Sequence, residues 1–157
     1  MKKYLLILFS YAGLENLNDF LFEKLNKGDK LSVRAVMLKR TPKLFNHLTS
    51  DVGFLGDKVA SDVEDSVVDV YREKAESYLK EIEEKVVAKD VEIDKKLIEK
   101  HQIDELKAAV IKEKADKLII NFSNNEFVSD QVKEKEIKDW LEKLNLKEYI
   151  FHDGNLD

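Results

Sequence analysis

The chain has 157 residues, 43% of them hydrophobic, and a net charge of -5. That size and apolar content fit one folded domain over residues 1–157 and argue against a disordered chain. The acidic balance argues against nucleic acid and anionic membrane surfaces as partners, and the lack of cysteine excludes disulfides, thiolate catalysis and cysteine-ligated metal.

The opening stretch MKKYLLILFSYAG poses the first choice. Two lysines, an apolar run and Ser10-Tyr11-Ala12 have the outline of an export signal. The apolar core from Tyr4 to Phe9 is shorter than the ~7–15 residues such a signal uses. A continuous apolar run followed by turn formers suits a strand buried on both faces. We therefore expect a first strand over Lys3–Ser10 in a cytoplasmic protein. No apolar run approaches the ~20 residues of a membrane span.

Leu14, Leu17, Leu21 and Leu25 then fall at helical spacing, with Gly28 as a stop. KLSVRAVML (Lys30–Leu38) is β-branched and apolar, a second strand. Residues 39–60 have no clear period and hold the one proline and two of the five glycines. That is long for a connection in a compact domain, and Phe45, Leu48, Val52, Phe54 and Leu55 are too apolar for a free loop. The segment is a lid, a partner-facing surface, or an irregular helix closing the core.

Ser61-Asp62-Val63-Glu64 has the form of a capping box, so the long helix is expected to begin there. Val63, Val67, Val70, Ala75, Tyr78, Leu79, Ile82 and Val86 make one apolar stripe along it. Asp62, Glu64, Asp65 and Asp69 read as acids favoured by a helix start. Val91–Lys100 alternates, as a half-exposed strand does. Ile103, Leu106, Val110 and Ile111 mark a third helix, and KLIINF (Lys117–Phe122) a fourth, fully apolar strand. Ser123-Asn124-Asn125 is turn chemistry. Val132, Ile137, Trp140, Leu141 and Leu144 form a last helix, capped by Asn145. Tyr149–His152 closes the chain as a fifth strand.

Strands alternating with helices imply a Rossmann-like three-layer α/β/α sandwich on a five-stranded parallel sheet. Order 2-1-3-4-5 would bury the third strand, which carries Asp94, Lys95 and Lys96. Order 3-2-1-4-5 puts that strand at an edge and LLILF beside LIINF at the centre. We expect 3-2-1-4-5.

VEIDKKLIEKHQIDELKAAVIKEKADKLIINFS, with Ala115-Asp116 and Leu118–Asn121 at its end, resembles the strand-helix-strand run of the universal stress proteins (UspA-like). The long helix ending YREKAESYLKEIEEKV is similar to theirs as well. The resemblance implies the fold, a stress-response role and a homodimer formed through the last strand, here Tyr149, Ile150 and Phe151. ATP-binding members place an aspartate at the end of the first strand, where this chain has Phe9-Ser10-Tyr11. They also carry G-x2-G-x9-G-[S/T] after the fourth strand, whose glycines let backbone N–H groups close on phosphates. Here the glycines are 13, 28, 53, 56 and 154, so that cradle is missing, and Asn124, Asn125 and Glu126 stand in its place.

In an open sheet of this order, ligands bind outside the carboxyl ends of the first and fourth strands. The expected pocket is Ser10, Tyr11, Ala12, Gly13, Asn121, Ser123 and Asn124, with Met37 and Lys39 beside them. The alternative is that these polar residues cap strand ends and satisfy loop backbone. His47, His101 and His152 show no ligand spacing, and there is no G-x-S-x-G elbow to make Ser10 a nucleophile. No catalytic residue, metal or cofactor is expected. The leading expectation is a non-enzymatic module acting through dimerisation and a partner or small ligand. A degenerate nucleotide (ATP or AMP) site is the alternative, and a small hydrolase a second one, which would need His47 beside Ser10 and a carboxylate.

Overall fold

The computed structural model describes residues 1–37, 56–98, 103–125, 132–144 and 146–157, with only the backbone of 56–68, 103 and 105. The elements run β1 (Lys3–Leu8), α1 (Leu14–Lys24), β2 (Lys30–Val36), α2 (Gly56–Val87), β3 (Glu92–Ile98), α3 (Ile103–Glu113), β4 (Lys117–Phe122), α4 (Glu134–Glu142), β5 (Lys147–His152) and β6 (Asn155–Leu156). Among the described residues no helix is long and apolar enough to cross a membrane.

The sheet order is β3-β2-β1-β4-β5-β6. The first five strands are parallel, in the expected order 3-2-1-4-5. The unforeseen sixth runs antiparallel to β5, pairing Phe151 with Leu156 and His152 with Asn155. Among the described residues the sheet is therefore six-stranded rather than five, and β5 is not the bare edge its sequence suggested.

Alternation along β1 sends its side chains into two cores. Tyr4, Leu6 and Leu8 join Leu17, Leu21, Tyr78 and Ile82 under α1 and α2. Leu5, Ile7 and Phe9 join Leu106, Val110, Ile137 and Leu141 under α3 and α4. Residues apolar on both faces belong at the centre of such a sheet, and β1 and β4 are buried from their second residue onward.

The polar third strand lies at the edge for the reason its sequence gives. Asp94, Lys95 and Lys96 are all exposed. Asp94 also holds Arg34 of β2, whose side chain is 8% exposed: Arg34 Nη2 is 2.9 Å from Asp94 Oδ2 and 2.8 Å from Glu113 Oε1 of α3. Ser32 Oγ donates to the other Glu113 oxygen at 2.9 Å. One buried cation thus pins α3 across β2 and β3.

The start of the long helix and two positions of the apolar stripes are corrected. The long helix starts at Gly56, five residues before the capping-box pattern at Ser61, because Asp57-Lys58-Val59-Ala60 contains nothing that stops a helix from propagating. Val70 and Ile111, assigned to apolar stripes, are 53% and 61% exposed. Each stands at the margin of its stripe, where the helix surface turns toward solvent. Lys39, His47, His101, Glu126, Asn145 and all of 39–60 except the start of α2 lie outside the described residues, and so does any lid they form.

Candidate functional site

β1 and β4 end side by side, and their register brings Leu8 opposite Asn121. The chain leaves β1 through Phe9 and Ser10, whose N–H groups both donate to the Asn121 carbonyl, at 2.9 and 3.2 Å. It then turns into α1 at Gly13, in the left-handed region at φ 67. Six of the expected pocket residues (Ser10, Ala12, Gly13, Asn121, Ser123 and Asn124) gather at this junction, with Tyr11 just behind it. Met37 lies one residue past β2, in the core against which Tyr11 packs. It is 1% exposed in the α1/α2 core, and its N–H donates to the Ile98 carbonyl at 2.9 Å.

The junction is occupied by the chain itself. Asp153 and Gly154, which turn β5 into β6, lie over it. Ser10 Oγ donates to Asp153 Oδ1 at 2.6 Å, and the Asn124 N–H donates to Asp153 Oδ2 at 3.1 Å. The Asp153 N–H donates to the Phe122 carbonyl at 2.8 Å. The fully buried Asn121 amide works in both directions: Nδ2 donates to the Ser10 carbonyl at 3.0 Å, and Oδ1 accepts the Gly154 N–H at 2.9 Å. A second, longer bond at 3.5 Å reaches the Ala12 carbonyl. The Ser10 oxygen also accepts the Ala12 N–H, at 3.2 Å.

The contact is backbone on backbone. A Cβ on Gly154 would lie 2.0 Å from the Gly13 carbonyl oxygen, and one on Gly13 would lie 1.9 Å from the Asp153 carbonyl oxygen. Both positions require glycine for closeness as well as for their positive φ.

Behind the junction, Tyr11 and Tyr71 meet edge to face at 5.0 Å. Tyr71 Oη donates to the Phe9 carbonyl and Tyr11 Oη to the Val36 carbonyl, the latter at 3.4 Å. Burial pushes both phenols well above their ordinary value, and the Asp153 carboxylate adds to the effect at Tyr71. Both therefore stay neutral donors to carbonyls and hold the end of β1 in place.

His152 precedes the turn. Its Nε2 faces Glu134 Oε1 at 2.6 Å, its Nδ1 faces Asp157 Oδ1 at 2.8 Å, and its ring stacks on Phe122 at 5.7 Å. It ties β5 to α4 and to Asp157. The carboxylate beside Ser10 is Asp153, and His47, the histidine a hydrolase would need there, lies outside the described residues. Among the described residues no group of three or more His, Asp or Glu is placed to hold a metal ion. A separate open groove of about 1090 Å³ runs between α1 and α2, lined among others by Asn18, Phe22, Val70, Tyr78 and Lys89. It shares only Tyr11 with the junction.

The junction stands where the strand order puts it, but Asp153 and Gly154 are not among the residues expected there. The signal was there. Asp-Gly after an apolar strand marks a two-residue hairpin, and the observed φ values of 47 and 82 are the pair of positive angles a type I′ turn needs.

No family model matches the chain, and none of the curated proteins matches it significantly. Among solved structures it is similar to hypothetical protein MJ0577, the subject of a structure-based assignment of biochemical function. The TM-score is 0.52, with 13% identity, over 97% of this chain and 96% of that one. At that identity the likeness is one of fold.

Proposed function

We propose that this protein is a divergent universal-stress-protein-like module of the cytoplasm that works by dimerisation and by holding a partner or small ligand, without catalysis. One observation carries the reading. The two donors at the carboxyl ends of β1 and β4 best placed to receive an anion, Ser10 Oγ and the Asn124 N–H, are both engaged by Asp153. A phosphate arriving there would have to displace a carboxylate tethered to the same chain. No glycine follows β4 before Gly154 to build a second cradle. The family reading itself rests on the sequence resemblance together with the likeness of fold to MJ0577.

A thermal-shift screen with ATP, ADP, AMP and cyclic nucleotides tests the reading. The expected result is no change in melting temperature with any of them. A saturable rise with ATP or AMP at micromolar concentration would overturn it in favour of a nucleotide site.

A further inference from the structure

Residues 153–157 do two things in different places. At one end the Asp153–Gly154 turn fills the junction of β1 and β4 through four hydrogen bonds, to Ser10, Asn124, Phe122 and Asn121. At the other, β6 covers the outer side of β5. It pairs with Phe151 and His152, and the Asp157 N–H donates to the Ile150 carbonyl at 3.0 Å. The Asp157 carboxylate meets His152 Nδ1 at 2.8 Å.

A ladder two residues long does not hold in water by itself. β6 stays on the sheet because the turn before it is anchored at the junction. The turn in turn cannot leave while β6 remains paired, since Gly154 joins the two and its backbone is pressed against Gly13.

We propose that residues 153–157 form a two-ended latch that closes the β1/β4 crevice and caps the β5 edge together, so that both are released in one step. The two ends are then coupled in either direction. An anion or partner group that takes Ser10 Oγ and the Asn124 N–H from Asp153 uncovers the edge of β5. A second copy of the chain that pairs along β5 opens the crevice. The latch follows from the geometry of the turn and does not depend on the stress-protein reading, and neither of its readouts needs a ligand.

The natural chain has no cysteine, so Ser10→Cys places a single thiol under the turn. Gly154→Ala evicts the turn, because its new Cβ meets the Gly13 backbone. Two rates are measured on the full chain: labelling of Cys by a disulfide reagent, with and without Gly154→Ala, and exchange of the Asp157 amide by NMR in the Ser10 background. Amides of Leu6 and Ile119, at the sheet centre, report whether the fold is intact. Gly154→Ala is expected to raise both the labelling rate and Asp157 exchange by about tenfold or more, with the central amides unchanged. Asp153→Ala, which removes the carboxylate without a clash, is expected to act in the same direction and carries both readouts if Gly154→Ala does not fold. Equal labelling with and without the eviction would overturn the latch, because the turn would not be what closes the crevice. Faster labelling with unchanged Asp157 exchange would overturn it too, because the two ends would then be independent.

Discussion

Asp29, 5% exposed ahead of β2, accepts the N–H groups of Lys2 and Asn26, each at 2.9 Å. Burial alone would raise its pKa, but these backbone bonds, with the nearby amino terminus and Lys2, hold it below the usual 3.8. A lowered folded value means that Asp29 stabilises the fold fully at pH above 3.8, and that this contribution is lost as pH falls through the lowered value. Asp29→Asn should therefore cost on the order of 1–3 kcal/mol at neutral pH, since one of the two N–H groups then faces an amide nitrogen. The gap from the natural protein should close below about pH 4. Urea unfolding of both proteins at a series of pH values reads it directly, and a gap that stays constant would contradict the assignment. At this scale the sequence was legible where chemistry forbade an alternative. Asp94 could not sit in a strand buried on both faces, so it declared an edge. Its partner Arg34 was not legible, because nothing in a sequence says which neighbouring strand offers a buried cation.

Among elements, the Arg34 cluster is the joint between β2, β3 and α3. Removing the cation leaves the Glu113 carboxylate, 18% exposed, facing only Ser32 in that cluster. Arg34→Met is expected to destabilise by about 3 kcal/mol. Adding Glu113→Leu should recover part of the loss, because the uncompensated charge goes with it. Chemical denaturation of the single and double variants measures the coupling, and simple additivity would show that the pair does not act as a unit. Long periodic elements were readable: β1, α1, β2, β4 and α4 lie close to where their spacing put them. The two misses have different causes. The capping-box pattern at Ser61 is a local preference, and a helix already propagating from Gly56 passes through it. β6 has two residues and no period at all, so its one trace was the Asp-Gly turn.

For the whole molecule, strand order followed from asking which runs tolerate burial on both faces, and the place of the candidate site followed from that order. Its occupancy did not, because Ser10 and Asp153 are 143 residues apart in sequence and meet only once five strands are aligned. Dimerisation also belongs at this scale. Tyr149 lies outside the contacts of the last residues, whereas the Ile150 carbonyl already accepts the Asp157 N–H and Phe151 is 2% exposed and packs on Phe20 at 5.1 Å. A dimer that leaves the latch closed would therefore combine the start of β5 with β6, where Leu156 is 51% exposed. Sedimentation equilibrium should find a dimer at micromolar concentration, and charged substitution of Leu156 should shift it toward monomer. A monomer throughout would remove dimerisation from the proposed function.

The length of α2 has a consequence for approach. At 32 residues it runs about 48 Å, whereas a six-residue strand such as β1 spans about 20 Å. Tyr71, near the middle of the helix, already touches the carbonyl of Phe9 where β1 ends. If α2 is straight, much of the helix before it extends past the end of β1, on the side where the crevice opens. A helix that holds this axis would flank one side of the crevice, and a molecule approaching from that side would meet the helix before the turn.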